Sequence, residues 1–336
     1  MRLSRPFFQL PVLFEVERLQ AEVAALPPEA WVAHPDNLPG NSAARLISAG
    51  GQETDAVHGE MSPTAWLQQT PYLRQVLAGF GVVWGRSRLM RLAPGATVPE
   101  HADINYHWHT RVRLHIPVFT QPEVRFHCDG QVVHMAAGEA WIFDNWRRHH
   151  VENRSEAPRV HIVADTTGTS AFWRFACGQA PPRGQWRTLK WAPESQPRLL
   201  TETNLRGPVM PAAEVQWLVD DLRGELTIAV DTPEARSRAR RLSDLLESFV
   251  QDWRQLCALH GTEGHGQADF VGLTAALRKA VSALGEGLVM RTNQASALLV
   301  LEKRILQHLA TDGAAAEERF AGNMRDGHRQ GQPAAG

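Results

Sequence analysis

Arg111-Val112-Arg113-Leu114-His115-Ile116-Pro117 carries the sharpest periodicity in this chain. On a strand, Val112, Leu114 and Ile116 share one face, while Arg111, Arg113 and His115 share the other. Two guanidiniums and an imidazole against a dry core without partners would be costly. The polar face therefore either meets solvent or lines an interior that receives acidic ligands, and the second reading is preferred. Short alternating runs surround this one, near 86–93, 97–101, 123–128, 131–135, 139–143, 149–152 and 159–165. Turn signals separate them at Pro94-Gly95, Asp129-Gly130, Ala137-Gly138 and Ser155–Pro158. Short strands at this spacing, with no helical pattern between them, predict a mainly β unit, an antiparallel sandwich or barrel of the jelly-roll kind.

The flanks read differently. Val12, Val16, Leu19, Val23 and Leu26 recur at helical spacing until Pro27-Pro28. Ser62-Pro63 and Thr70-Pro71 each place a cap residue before a proline, predicting short helices at about 63–69 and 71–79. From 178 to 212 the chain is rich in Pro and Gln without a period, as a linker or wrapping arm would be. Thr232-Pro233-Glu234 opens a helix whose stripe is Leu242, Leu245, Leu246, Phe249, Val250, Trp253 and Leu256. Phe270–Leu284 and Ala295–Leu309 repeat that behaviour, predicting a small C-terminal helical bundle. The stripe is read as helix packing, with a homodimer or a protein partner through these helices as the alternative. The Gly/Ala-rich end, 312–336, reads as a disordered tail.

Composition narrows the function. With 336 residues the chain is long for one domain. Lys and Arg total 35 and Asp and Glu 36, so no net positive charge favours nucleic acid. Three scattered cysteines make neither a disulfide framework nor a zinc knuckle. No segment approaches the ~20 apolar residues of a membrane span, and no cleavable leader is legible at the N-terminus. The expectation is a cytoplasmic protein that binds neither nucleic acid nor membrane. Of 15 histidines, nine fall between 101 and 161, which concentrates the chemistry there.

His101-Ala102-Asp103 places an imidazole and a carboxylate on the same strand face, about 7 Å apart along the backbone. A second imidazole is available at His149 or His150; adjacent strand residues face opposite ways, so only one of them can join. Two histidines and one carboxylate on one side of an ion form a facial triad of the non-heme Fe(II) type, with other positions open. Arg159 follows on the same strand face as His161 and Val163. Its guanidinium suits the distal carboxylate of 2-oxoglutarate, whose keto-acid end chelates iron.

The run Arg91-Leu92-Ala93-Pro94-Gly95, His101-x-Asp103, Arg113-Leu114-His115-Ile116-Pro117, Gly138-Glu139, Phe143-Asp144-Asn145, His149, Asn153, Arg159-Val160-His161 and Asp165 resembles the aspartyl/asparaginyl β-hydroxylase family. That family comprises Fe(II)- and 2-oxoglutarate-dependent dioxygenases. The resemblance covers roughly residues 30–170, with Asn41–Gly51 similar to an upstream family segment. It implies a double-stranded β-helix (jelly roll), to which the residue patterns add N-terminal helices and a C-terminal helical bundle. The expected division is 1–177 for the dioxygenase domain, 178–212 for a linker, and 213–311 for a helical domain of unknown role. By position, His101, Asp103 and His149 would be the metal ligands, Arg159 would hold 2-oxoglutarate, and Arg113 and His115 would line its pocket. The family's spacing selects His149, with His150 as the fallback. Animal members carry glycine where this chain has Asp103, so it resembles the bacterial members with a full triad. A serine that helps hold the cosubstrate in some members is Met90 here.

The expected activity is hydroxylation of an amino acid, a peptidyl Asp/Asn or a related carboxylate- or amide-bearing substrate. Fe(II), 2-oxoglutarate and O₂ are the expected cofactor and cosubstrates, and Arg111 is the expected substrate cation. Tyr106, Trp108 and Trp146 would either close over substrate or seal the mouth. His107 and His109 read as part of a covering loop, and His127 and His134 as a structural pair across the Asp129-Gly130 hairpin. A metal cupin without oxygenase chemistry is the first alternative, since His149-x₃-Asn153 fits a cupin's second motif. A non-catalytic sensor or scaffold working through the C-terminal helices is the second.

Overall fold

The computed structural model describes residues 1–34, 38–203, 207–284 and 287–310. The expected tail at 312–336 lies outside the described residues. Alternation becomes strand where the sequence predicts it, most fully in Val83–Leu92, Val112–Phe119 and Arg159–Thr166. These three pair antiparallel at the centre of a ten-stranded sheet. Outward from them on one side come Glu139–Phe143, Phe7–Phe14 and Arg187–Leu189, and on the other Asn41–Ala49 and Val32–Ala33. A second sheet has four strands in the order Thr97–His101, His149–Asn153, Val124–Cys128 and Gln131–Val133. Its hairpin turns on Asp129 and Gly130, whose φ values of 49° and 74° are those a two-residue primed turn demands.

The large sheet is apolar on one face. Leu10, Ile142, Leu114, Ile116, Ile162, Ala164, Leu89 and Leu46 are fully buried there. They pack against Leu19 and Val23 of the helix Val16–Ala24, Tyr72 to Leu77 of Pro71–Ala78, and Phe172 of Ser170–Cys177. Each such aliphatic side chain contributes about 1.5–3 kcal/mol by leaving water. The opposite face meets the small sheet: Phe7, Leu92 and Phe143 pack with Val124, Phe126, Cys128 and Val151. His115 lies on this face, 5.4 Å between ring centroids from both Phe126 and Phe143, so the polar side of its strand turns inward.

The mainly β, double-stranded β-helix expectation is corrected. The chain is mixed, with 36% helix and 28% strand, and neither sheet closes or curls on itself. The large sheet ends at Val32–Ala33 and Arg187–Leu189, which do not pair with each other. Alternation specifies which residues form strands, but closure requires partners for the two edges. Here helices cover one face, and the C-terminal half adds more helix. Other local expectations shift too. Phe7–Phe14 is a strand, so the first helix starts only at Val16. Pro63 belongs to a strand, and Thr64 rather than Ser62 caps the next helix by accepting from Leu67 N. Asn41–Ala49 is an additional long strand.

The chain divides into two compact units. One holds both sheets, in Met1–His101 and Thr110–Leu205. The other joins Ala102–His109 to the described part of 206–319. In the second unit Thr232 caps the helix Pro233–His260, and Leu242, Leu246, Phe249, Val250 and Trp253 are buried. Trp253 lies 4.8 Å from Phe270 between ring centroids, so the stripe packs inside this unit. The segment Ala102–His109 is held within the same unit: Tyr106 donates to Glu214, and His109 lies 4.7 Å from the Trp217 ring. Arg304 donates to Asp221 at 2.9 Å and to the Ile104 carbonyl at 3.4 Å. Among the described residues no helix is long and apolar enough to cross a membrane.

Candidate metal centre and cosubstrate site

His101 ends one strand of the small sheet and His149 begins its neighbour, and the two are direct cross-strand partners. Their rings lie 4.3 Å apart between centroids. Asp103 follows two residues after His101, and ligand atoms of all three lie within 4.8 Å of one another. Nδ1 of His149 is 2.9 Å from the Arg147 carbonyl, and Nδ1 of His101 is 2.8 Å from the Pro99 carbonyl. A carbonyl only accepts, so each Nδ1 carries the proton and each Nε2 keeps its lone pair for a metal. The approach to His149 is pinned by Asp144, which accepts from Leu3 N, Trp146 N and Arg147 Nε at 3.0–3.1 Å.

His150 points the other way. It pairs with His127 across the strands, the rings stacked at 4.0 Å, and with Glu152 it forms a separate group. His127 therefore does not pair with His134, whose Nδ1 lies 3.2 Å from the Val124 carbonyl instead. Asn153, the cupin-like position, is a staple: its Nδ2 donates to the carbonyls of Leu92, Ala93 and Ala157.

The other expected residues come from the facing sheet. Ring contacts link the two sets: Phe143 lies 4.8 Å from the His149 ring and 5.4 Å from the His115 ring. Arg159 is buried, 4% exposed, and burial pushes its pKa down to about 9. Its Nη2 donates to His161 Nδ1 at 2.8 Å, and His161 Nδ1 in turn lies 3.5 Å from His115 Nδ1. Burial, then the charge of Arg159, hold both His115 and His161 well below the usual imidazole pKa. No carboxylate among the described residues pairs with Arg159. Its Nε, with His161 Nε2 and His115 Nε2, is buried without a hydrogen-bond partner. Since His161 Nδ1 accepts, its Nε2 is a donor, so Arg159 and His161 both present unanswered N–H groups. A buried polar atom left so costs ~1–3 kcal/mol, and an acceptor-only carboxylate would satisfy them.

Arg113 pairs with Asp165, Nε to Oδ1 at 3.1 Å, its direct cross-strand neighbour. Arg111 donates to both oxygens of Glu202 at 2.7 and 2.8 Å, so its fork is already filled. The sequence reading missed Arg45, Arg86 and Arg88. Arg45 and Arg88 are opposite each other, and Val163 and His115 continue the same cross-strand row. Arg45 reaches Asp55 at 2.6 Å and Glu53 at 2.9 Å, while Arg88 is 3.4 Å from Asp55. Burial and then Arg88 push Arg86 down to about 9. Their alternation at 86 and 88 was the available signal. Tyr106, Trp108 and Trp146 are all buried.

Two imidazoles and one carboxylate on one side of a position, with the remaining directions open, define the facial-triad class of metal sites used by Fe(II) oxygenases. Residues 56–168, about a third of the chain, match the family profile described as aspartyl/asparaginyl beta-hydroxylase. It is similar to L-proline cis-3-hydroxylase 1 of Streptomyces sp., 26% identical over 137 residues, 38% of this chain and 47% of that protein. The chain thus spans about half the length of that curated relative. Among solved structures, it resembles an oxidoreductase of the 2OG-Fe(II) oxygenase family from Burkholderia pseudomallei, at 17% identity and TM-score 0.35, covering 46% of this chain and 81% of that one. A Pseudomonas putida prolyl-4-hydroxylase aligns at 14% identity and TM-score 0.33, covering 50% and 95%.

Proposed function

We propose that the chain is an Fe(II)- and 2-oxoglutarate-dependent dioxygenase that hydroxylates an amino acid, a peptidyl Asp/Asn or a related substrate with a carboxylate or amide. The observation that carries this is the buried guanidinium of Arg159, paired with no carboxylate among the described residues, with unanswered nitrogens on His161 and His115, alongside the triad His101, Asp103 and His149. A cupin has no need of such a cation, and Asn153 is committed to backbone carbonyls.

In this reading His101, Asp103 and His149 hold Fe(II), with both imidazoles oriented by backbone carbonyls. Bound iron with 2-oxoglutarate and O₂ supplies oxidative decarboxylation of the keto acid and insertion of oxygen into a substrate C–H bond. Arg159 takes the distal carboxylate, and His161 and His115 stay neutral beside it, so no second cation competes for position. Arg113 is oriented by Asp165. Arg111 is matched by one carboxylate, Glu202, whereas Arg45, Arg86 and Arg88 stand around only two among the described residues, Glu53 and Asp55, so in this reading the surplus positive charge of that group draws a substrate carboxylate.

Anaerobic addition of Fe(II) and then 2-oxoglutarate should give the weak visible charge-transfer band of a chelated keto acid. Succinate should form slowly on admitting air. Iron binding without the band would favour the cupin reading, and no iron binding would favour a non-catalytic role.

A further inference from the structure

The small sheet repeats one constellation on its two faces. Inward, His149 opposes His101 across the strands, and a carboxylate, Asp103, follows His101 by two residues. Outward, His150 opposes His127, and a carboxylate, Glu152, follows His150 by two residues. Ligand atoms of His127, His150 and Glu152 lie within 4.8 Å of one another, as do those of the inward group. From this repetition we propose that His127, His150 and Glu152 form a second metal site, for a divalent transition ion such as Zn(II), on the outer face of the same sheet.

Geometry favours it. In a tetrahedral zinc site with ~2.0–2.1 Å bonds, ligand atoms stand roughly 3.4 Å apart. His127 Nε2 and Glu152 Oε2 are already 3.3 Å apart. Both atoms are shielded from solvent; His127 Nε2 has no hydrogen bond, and Glu152 Oε2 has only the ion pair to Arg154 beside it. The His127 and His150 rings are stacked 13° from parallel at 4.0 Å, so only side-chain rotation is needed to converge. All three residues are half-buried, which lets an ion reach them and keep water in its remaining positions. Two imidazoles with one carboxylate suit zinc, nickel or copper.

The two sites differ in chemistry. Among the described residues, the arginines beside the outer group, Arg125 and Arg154, are exposed rather than buried like Arg159. Arg154 lies 2.7 Å from Glu152 and is its competing partner, and exposed Arg125 is the cross-strand neighbour of Glu152. The outer ion is therefore a clasp. It ties His149–Asn153, the strand that begins with an inner ligand, to Val124–Cys128.

Chelator-stripped protein is titrated with Zn(II) against a chromophoric competitor. Wild type should bind two equivalents. His127→Ala and His150→Ala should each bind one, and His149→Ala should lose the other equivalent and keep the outer one. The retained inner equivalent shows that an outer-face variant is folded, and the conservative Glu152→Gln should weaken the same outer step. Arg154→Ala should tighten it by about two- to fivefold, the value of a surface ion pair removed from competition. A single equivalent in wild type, or two surviving in the double variant His127→Ala, His150→Ala, overturns the proposal.

Discussion

Replacing Arg159 with methionine should raise the stability of the cosubstrate-free protein while destroying its affinity for 2-oxoglutarate. Arg159 is 4% exposed, and its only described polar contact is a neutral histidine. A guanidinium pushed down to about 9 pays on the order of 5 kcal/mol for its charge, at ~1.36 kcal/mol per pKa step. Methionine removes that cost but leaves His161 Nδ1 without its donor, which costs ~1–3 kcal/mol. The net expectation is a gain of about 2–4 kcal/mol, in the range seen when buried charges are replaced by apolar side chains of similar volume. Binding moves the opposite way. Losing a buried, charge-assisted contact costs about 2–5 kcal/mol, or roughly 30- to 4,000-fold in affinity. The assay is paired: urea unfolding of the metal- and cosubstrate-free protein, and anaerobic titration of the Fe(II) protein with 2-oxoglutarate. A variant less stable than wild type that still bound 2-oxoglutarate would refute the reasoning, because the guanidinium would then be structural.

Three further outcomes are expected. His149→Ala should abolish tight Fe(II) binding, whereas His150→Ala should leave it intact, read by anaerobic iron titration. Stability should fall as pH drops below ~6.5, because the unfolded chain protonates His115 and His161 there while the folded chain holds both neutral. Each histidine should contribute a loss of about 1 kcal/mol by one pH unit lower, and urea titrations should show a shallower slope in His161→Gln. Leu114→Ala, at a fully buried site between sheet and helices, should cost about 2–5 kcal/mol in unfolding free energy. A cost below 1 kcal/mol would contradict that packing.

Much of the site was legible because its signals are local. The pair His101 and Asp103 shares a strand face, and the alternation of Arg111 to Pro117 separates an apolar side from a polar one; both follow from the period of two. His115 turns toward the small sheet, against Phe126 and Phe143, although no barrel closes around it. Arg111 is not available as the expected substrate cation, because Glu202, distant in sequence, fills its fork. The same limit hid Arg45, Arg86 and Arg88, which become a cluster only when two strands pair. It also misassigned His127, whose partner is His150 rather than His134.

The sequence by itself determined the strand alternation, the apolar stripe of the long helix, and the donor types available for a metal and an acidic cosubstrate. Covalent neighbours set those features, since backbone geometry alone dictates which side chains share a face. The tertiary structure decided that the sheets stay open in a mixed helical and β chain. It also decided that His149 and His150 go to opposite faces and that Arg159 pairs with no carboxylate among the described residues. Register between distant strands settles those matters, and a shift of one residue would exchange the two histidines.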